Sequence, residues 1–297
     1  MRQRQVILLW FVATFVMVFV AVAADPDAAS LANAILDDSK PQGDREAIIK
    51  DNPRLSAELI AAMTRDLTPS TKEEYRRIPW VWRDAIAAGK RNEIEEMKRI
   101  LLISLPQPGQ PLDDWRAVVI GGGIINGITQ AGAWPDERIA KMFETFPPVE
   151  ALRWQHTLEL AAKMANDPKI ATGTRYDALR ILGAGPWDRW GAILVRYQIK
   201  GTEAELQMGA VSALGDVREP GAAVAQVLIS GLPHYDKANK ALALDALIRD
   251  EPRALVLLDA LANGRIKADE LGPKRVELLK THASELVRRR AGELLGN

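Results

Sequence analysis

From Asp27 onward, apolar residues recur at spacings of three and four positions, which places them on one face of an α-helix. Alternating, strand-like runs are scarce. The best of them, Val118–Ile120, lies inside Asp113–Thr129, a stretch whose pattern favours one buried helix. The sequence therefore predicts an all-α chain. Its clearest helices are Leu55–Leu67, Ile94–Leu105, Val149–Met164, Thr202–Leu214, Ala222–Leu232 and Asn239–Leu247.

Prolines and capping residues predict where these helices begin, because a proline in the first turn sacrifices no intrahelical hydrogen bond. Ser70–Glu73 and Thr202–Glu205 both match the capping-box pattern. Pro79 lies within a helical pattern and is expected to end or kink its helix. The prolines expected at helix starts are Pro53, Pro135, Pro147–Pro148, Pro186, Pro220, Pro252 and Pro273.

A weak internal repeat marks the C-terminal half. Ala178–Leu182, Ala210–Leu214 and Ala243–Leu247 share an Ala-apolar-x-apolar-Leu pattern at intervals of 32 and 33 residues, with Ala291–Leu295 as a poorer fourth copy. Such a period is typical of helix-pair solenoids, in which neighbouring repeats bury a shared core. The ankyrin signature is absent, and the tetratricopeptide pattern fails because Leu194 stands where glycine belongs. By elimination, the prediction is an α-solenoid of HEAT-like helix pairs.

Three segments, Ile78–Arg83, Asp114–Gly127 and Leu257–Ile266, resemble exported bacterial HEAT-repeat proteins, and the resemblance covers most of Ala85–Asn297. In many of those proteins the helical segment accompanies a β-propeller dehydrogenase-like domain and a C-terminal c-type haem domain. This chain has neither a propeller-length segment nor a C-x-x-C-H motif. The resemblance therefore implies a helical scaffold without a cofactor. A degenerate redox subunit that binds its cofactor non-covalently is a further hypothesis, suggested by the resemblance alone.

The N-terminus has the order of segments found in secretory signal peptides. Arg2 and Arg4 precede Val6–Val22, which is apolar at every position except Thr14, and the small residues Ala21–Ala24 follow. We predict a signal peptide over residues 1–23. The alternative is an uncleaved anchor formed by residues 6–24, which are numerous enough to cross a bilayer. Either way the chain is expected to be exported, to the periplasm or the extracellular space, and it contacts a membrane only if this segment is retained.

The remaining chain is predicted to comprise an N-terminal helical, capping region over residues 24–105 and HEAT-like repeats over residues 112–297. The proline-rich loop Pro106–Pro111 separates them. The chain has no cysteine, which excludes disulfides, thiolate zinc sites and a cysteine nucleophile. Its 39 basic and 39 acidic residues balance, so the charge gives no reason to expect nucleic acid as a partner.

Two motifs suggest chemistry at first sight. Gly121–Gly127 is glycine-rich, but its spacing fits neither a dinucleotide-binding loop nor a Walker A loop. We interpret Gly123 and Gly127 instead as small residues on one helix face that let a neighbouring helix approach closely. The three histidines, His156, His234 and His282, are isolated from one another. No catalytic residue, metal ligand or cofactor-binding residue is therefore predicted.

Tryptophan is the enriched residue with functional potential. Seven tryptophans lie between Trp80 and Trp190, and core packing is expected for most of them. Trp134, Trp187 and Trp190 are the candidates for an interaction surface, because the first two lie at helix starts. The leading hypothesis is a non-enzymatic exported scaffold that holds an unknown protein partner. The alternative is a carbohydrate-binding or carbohydrate-active helical protein with a Trp-lined groove.

Overall fold

The structure, a computed structural model, describes residues 26–296, which contain 75% helix and no β-strand. The all-α prediction is therefore confirmed for this part of the chain. The α-helices are α1 (Pro26–Leu36), α2 (Gln42–Asp51), α3 (Ser56–Thr64), α4 (Lys72–Arg91), α5 (Ile94–Ser104), α6 (Asp114–Ala117), α7 (Asn126–Gln130), α8 (Pro135–Phe143), α9 (Pro148–Asn166), α10 (Thr172–Gly183), α11 (Trp187–Arg196), α12 (Ala204–Asp216), α13 (Gly221–Gly231), α14 (Lys237–Ala246), α15 (Glu251–Ala262), α16 (Ala268–Lys280) and α17 (Glu285–Leu295).

The six helices predicted from periodicity are all present, with ends shifted by a few residues. Pro135 and Pro148 open α8 and α9 as expected. Pro186 and Pro220 instead occupy the position before the first helical residue. Pro79 does not end its helix: it lies inside α4, which is 20 residues long and continues to Arg91. Burial of one face of α4 against neighbouring helices outweighs the hydrogen bond that proline removes.

The two predicted capping boxes differ from the observed helix starts. Helix α4 begins one residue later than expected: the Thr71 hydroxyl accepts a hydrogen bond from the Glu74 amide at 3.3 Å, and the Glu74 carboxylate accepts one from the Ser70 amide. The same carboxylate accepts a hydrogen bond from the Trp115 amide at 3.1 Å, so a tertiary contact selects the register. Helix α12 begins after Glu203 without any side-chain cap.

The glycine-rich segment is a buried helix. A π-helical turn, Val118–Ile125, joins α6 to α7 and is buried at every residue. A Cβ atom on Gly127 would lie 2.6 Å from the carbonyl oxygen of Ile86, and one on Gly123 would overlap Ala85. Both contacts are with α4, so the packing interpretation of these glycines is confirmed. On the other side of the same segment, a Cβ atom on Gly121 would overlap the backbone of Asp177 in α10.

Helices α10, α12 and α14 pack side by side in that order. The three copies of the Ala-apolar-x-apolar-Leu pattern lie on these helices, at Ala178–Leu182, Ala210–Leu214 and Ala243–Leu247, and their alanines and leucines are buried. Helices α11 and α13 lie between them in sequence, and α13 packs on α15, which packs on α17. The buried alanines and leucines of these three helices therefore belong to one hydrophobic core.

The N-terminal helices join this core through α4. Helix α1 packs on α3, α3 packs on α4 and α5, and α4 packs along the π-helical segment and α7. The predicted loop is present as a non-helical stretch over residues 105–113. Among the helices of residues 26–296, none combines the length and the apolarity needed to cross a bilayer. The predicted signal peptide or anchor lies outside the described residues.

Candidate functional site

Three cavities lie beside α4, α7, α10, α12, α14 and α16, and each shares at least one lining residue with the next. We call this set of cavities the groove. The first, which we call the acidic cavity, has a volume of about 470 Å³ and is lined by Tyr75, Trp82, Tyr176, Asp177 and Glu205, among others. The central cavity, of about 440 Å³, shares Tyr176 with it and includes Arg180, Asp216, Leu242 and Arg249. The C-terminal cavity, of about 410 Å³, shares Arg249 with the central one and includes Lys274, Leu278 and His282.

Asp177 is the chemically unusual residue of the acidic cavity. It lies on the buried face of α10 and is 8% exposed. Within residues 26–296, no group donates a hydrogen bond to its carboxylate. Burial raises the pKa of Asp177 well above its usual value, the nearby Arg180 lowers it, and the carboxylates of Glu205 and Asp114 add to the rise. The cavity wall thus contains a buried carboxyl group that accepts no hydrogen bond within the described residues and lies near one cation and two further carboxylates.

Aromatic rings form the walls around this carboxylate. The Trp82 indole donates a hydrogen bond from Nε1 to the carbonyl oxygen of Gly122 at 3.0 Å, which fixes the ring. Tyr75 is 46% exposed and donates its hydroxyl proton to Asp114 at 2.8 Å. That hydrogen bond raises the pKa of Tyr75 to about 12. Because Gly122 has no side chain, Trp82 and Asp177 can both approach the π-helical segment.

The central cavity has a paired charge network instead. Arg180 and Asp216 are both buried, and their ion pair has a separation of 2.7 Å between Nη2 and Oδ2. The hydroxyl of Thr129 donates a hydrogen bond to the other carboxylate oxygen of Asp216 at 2.6 Å, and Arg249 approaches that oxygen at 3.6 Å. Arg180 is therefore ion-paired with Asp216, and it donates no hydrogen bond to Asp177.

Trp134, the first sequence-predicted interaction residue, lies under two arginines. The guanidinium of Arg249 is 3.9 Å from its ring centroid and that of Arg253 is 5.0 Å away. Arg249 also donates hydrogen bonds to the carbonyl oxygens of Gly215 and Ala133. Trp134 is half-buried, and the arginine stack occupies one face of its ring. Its observed contacts join the loop before α8 to α15 and to the loop that precedes α15.

Trp187 and Trp190, the other two predicted interaction residues, both lie on α11. Trp187 is half-buried with its ring over Gly191. Trp190 is 7% exposed and packs beside Leu158 and Gly185, so the core encloses most of its ring. These two tryptophans pack on residues of α9, α11 and the loop before α11, whereas Trp134 packs against Arg249 and Arg253. Of the tryptophans, it is Trp82 that lines the acidic cavity.

A second buried carboxylate lies away from the groove. Asp84 of α4 is fully buried, and its carboxyl group lies beside the hydroxyl of Ser56. Burial raises its pKa to about 7; a hydrogen bond with the Ser56 hydroxyl and the charge of Arg91 oppose this rise, and Glu96 and Glu58 reinforce it. Arg91 itself donates hydrogen bonds to Glu96 and to the hydroxyl of Ser56. This cluster joins α3, α4 and α5 in the interior.

The histidines do not assemble a site in the described residues. Nδ1 of His156 lies 3.7 Å from a carboxylate oxygen of Glu159, and His234 is exposed. His282 accepts a hydrogen bond from the Ser284 amide at 3.1 Å. No group of three or more histidine, aspartate or glutamate side chains in residues 26–296 is placed to hold a metal ion.

Comparison of the sequence with protein-family models and with curated proteins gives no match. The structure by itself defines an all-helical protein whose cavities are lined by charged and aromatic side chains. The resemblance to exported HEAT-repeat proteins stays a prediction.

Sequence reasoning missed the residues that make the acidic cavity distinctive. Tyr75 and Trp82 come from α4, Tyr176 and Asp177 from α10, and Glu205 from α12. One signal was available: Asp177 interrupts the buried stripe of α10, between Thr174 and Ile181 at helical spacing. A carboxylate in a buried stripe is uncommon unless it is paired or functional.

Proposed function

We propose that this chain is a non-enzymatic, exported scaffold of HEAT-like helix pairs that holds a segment of a protein partner in the groove defined above. The observation that carries the proposal is that consecutive cavities share lining residues: Tyr176 lines the acidic and central cavities, and Asp245 and Arg249 line the central and C-terminal cavities. A groove of that kind suits an extended polypeptide better than a compact metabolite. Stacked helix pairs commonly use such surfaces for binding.

The repeat interpretation is supported by the side-by-side packing of α10, α12 and α14, each carrying one copy of the buried Ala-apolar-x-apolar-Leu pattern. In a solenoid, equivalent helices of successive repeats form one layer, and the intervening helices form the other. Helices α11 and α13 have the sequence positions of that second layer. Export is supported by the signal-like order of Arg2, Val6–Val22 and Ala21–Ala24.

The test is site-specific photocrosslinking in cells. A photoreactive amino acid replaces Leu242, which lines the central cavity and is 38% exposed. The matched control is Leu286 on α17, which is 36% exposed and does not line the three cavities. We expect a discrete crosslinked protein from position 242 and none from position 286. Identical products from both positions, or none from either, would contradict the proposal.

The second candidate, carbohydrate binding, is favoured by the aromatic walls of the acidic cavity. Trp82, Tyr75 and Tyr176 could stack on sugar rings while Asp177 and Glu205 accept hydrogen bonds from hydroxyl groups. Calorimetric titration against a glycan panel tests this function. Saturable binding that Trp82→Ala abolishes would support it, and absence of heat across the panel would remove it.

A further inference from the structure

The acidic cavity contains a buried carboxyl group that has no hydrogen-bond donor within the described residues. Asp177 is more than nine-tenths buried, its carboxylate lines the cavity, and no group within the described residues donates a hydrogen bond to it. A buried ionised group without a partner is unfavourable, and most such groups in proteins are paired. An incoming donor that carries a positive charge would supply the missing partner.

Two carboxylates, those of Glu205 and Asp114, raise the pKa of Asp177, whereas the Arg180 guanidinium lowers it. Glu205 is exposed at the cavity edge, where its carboxylate would lie 3.5 Å from a Cβ atom placed on Gly173. Asp114 adds negative potential through its contact with Tyr75. The residues that line the acidic cavity include no lysine, arginine or histidine from the described part of the chain. Arg180, the nearest cation in the interior, is engaged by Asp216.

The aromatic walls suit the same kind of ligand. The faces of tryptophan and tyrosine rings attract ammonium and guanidinium groups. Trp82 is fixed by its hydrogen bond to Gly122, and Tyr75 by its hydrogen bond to Asp114, so these rings are positioned before a ligand arrives. The volume of about 470 Å³ leaves room for a long side chain and part of its backbone.

We propose that the acidic cavity recognises a lysine or arginine side chain of a polypeptide segment, with Asp177 and Glu205 pairing with its charge and Trp82 contacting its stem. The inference rests on the proposed function, because the polypeptide is the one held in the groove. A polypeptide is favoured over a free amine because the acidic cavity neighbours the central cavity and shares the lining residue Tyr176 with it. The main chain on one side of the basic residue can therefore continue along the groove.

The experiment uses the purified full chain, labelled with ¹⁵N at tryptophan, and follows the Trp82 indole resonance by NMR. The probes are the capped peptide acetyl-Gly-Lys-Gly-amide, its neutral analogue with norleucine, n-butylammonium chloride and a glycan panel. We expect a saturable shift of the Trp82 resonance with the lysine peptide and none with the norleucine peptide. The apparent Kd should rise about tenfold or more in Asp177→Asn and in Glu205→Gln.

Glu203→Gln is the matched control. Glu203 is exposed, lies two residues before Glu205 and does not line the cavity, so this variant should bind the lysine peptide like the parent protein. Thermal melting verifies that each variant is folded. Because Glu205 is exposed, Glu205→Gln keeps the test decisive if Asp177→Asn does not fold.

The outcomes that overturn the proposal are distinct. Equal binding of the norleucine peptide would contradict recognition of the positive charge. Unchanged binding of the lysine peptide by Asp177→Asn and Glu205→Gln would contradict it as well. Tighter binding of n-butylammonium than of the lysine peptide assigns the cavity to a free amine, and a response to glycans alone assigns it to sugars. A crosslink at Leu242 without lysine binding overturns this assignment alone. Lysine binding without a crosslink at Leu242 contradicts the scaffold function but keeps the cation pocket.

Discussion

Replacing Gly127 with alanine tests the crossing of α4 with the glycine-rich helix, on which the acidic cavity is built. The new Cβ atom would lie 2.6 Å from the Ile86 carbonyl oxygen and 2.7 Å from the Cα atom of Gly89. Carbon atoms pack best at about 3.5 to 4.0 Å. Both opposing atoms belong to the backbone, so no side-chain rotation relieves the overlap. The two helices must move apart by roughly 1 Å along the crossing.

The expected magnitude follows from two opposing effects. Overpacking of a tight core typically destabilises by about 1 to 3 kcal/mol. Alanine in place of glycine within a helix raises the unfolding free energy by about 0.5 to 1 kcal/mol. The net expectation is a loss of about 1 to 2 kcal/mol of unfolding free energy, with a decrease in Tm of about 2 to 4 °C per kcal/mol.

Gly43→Ala is the matched control for this prediction. Gly43 lies in α2, and a Cβ atom placed on it would meet nothing within 4 Å. This variant should be neutral or more stable by up to about 1 kcal/mol. Urea unfolding followed by circular dichroism, together with thermal melting, measures both variants. Equal stability of Gly127→Ala and Gly43→Ala would refute the close-packing argument.

Three further predictions concern buried and capping groups. Because burial raises the pKa of Asp84 to about 7, the folded chain keeps a proton that the unfolded chain has lost above about pH 4. The unfolding free energy should therefore fall as the pH rises from about 4 to about 7, by up to the order of 4 kcal/mol. Urea unfolding of Asp84→Asn, measured across the same pH range, should not show this decrease. Arg180→Met leaves the buried carboxylate of Asp216 without its main partner and should destabilise by about 3 to 5 kcal/mol in urea unfolding; a loss near zero would mean that Arg249 compensates fully. Thr71→Ala removes the N-cap of α4 and should lower the unfolding free energy by about 1 kcal/mol, whereas an unchanged melting curve would show that Glu74 alone caps the helix.

The helices themselves could be predicted because their pattern is local. Three- and four-residue apolar spacing places a stripe on one face of a helix, whatever that face later contacts. Val149–Met164 and Ala222–Leu232 therefore correspond closely to α9 and α13. The close approach at Gly123 and Gly127 was also predictable, since two glycines four residues apart leave one helix face without side chains.

Helix starts were less predictable, because more than one residue can satisfy the same local rule. Ser70 and Thr71 are both suitable caps for α4. The observed choice of Thr71 accompanies the hydrogen bond from the Trp115 amide to Glu74, a contact between residues 41 positions apart. Pro79 is a similar case, because tertiary packing of α4 keeps the helix continuous where the local preference is to break it.

The candidate site was largely hidden from the sequence. Trp134, Trp187 and Trp190 were chosen by residue type and by their places at helix starts, yet partners from distant segments determine how much of each ring is free. Arg249 covers a face of Trp134, and Leu158 packs beside Trp190. Neither contact can be predicted from the spacing of apolar residues near the tryptophan, because each partner is distant in sequence.

The sequence by itself determined that the chain is helical, which residues form the buried stripes, and that small residues allow one tight helix crossing. These properties depend on spacings of a few residues. Only the tertiary structure decided that Asp177, Glu205 and Trp82 meet around one cavity. The physical reason is that periodicity defines which face of a helix is buried, whereas the packing of α4, α10 and α12 against one another defines what that face meets.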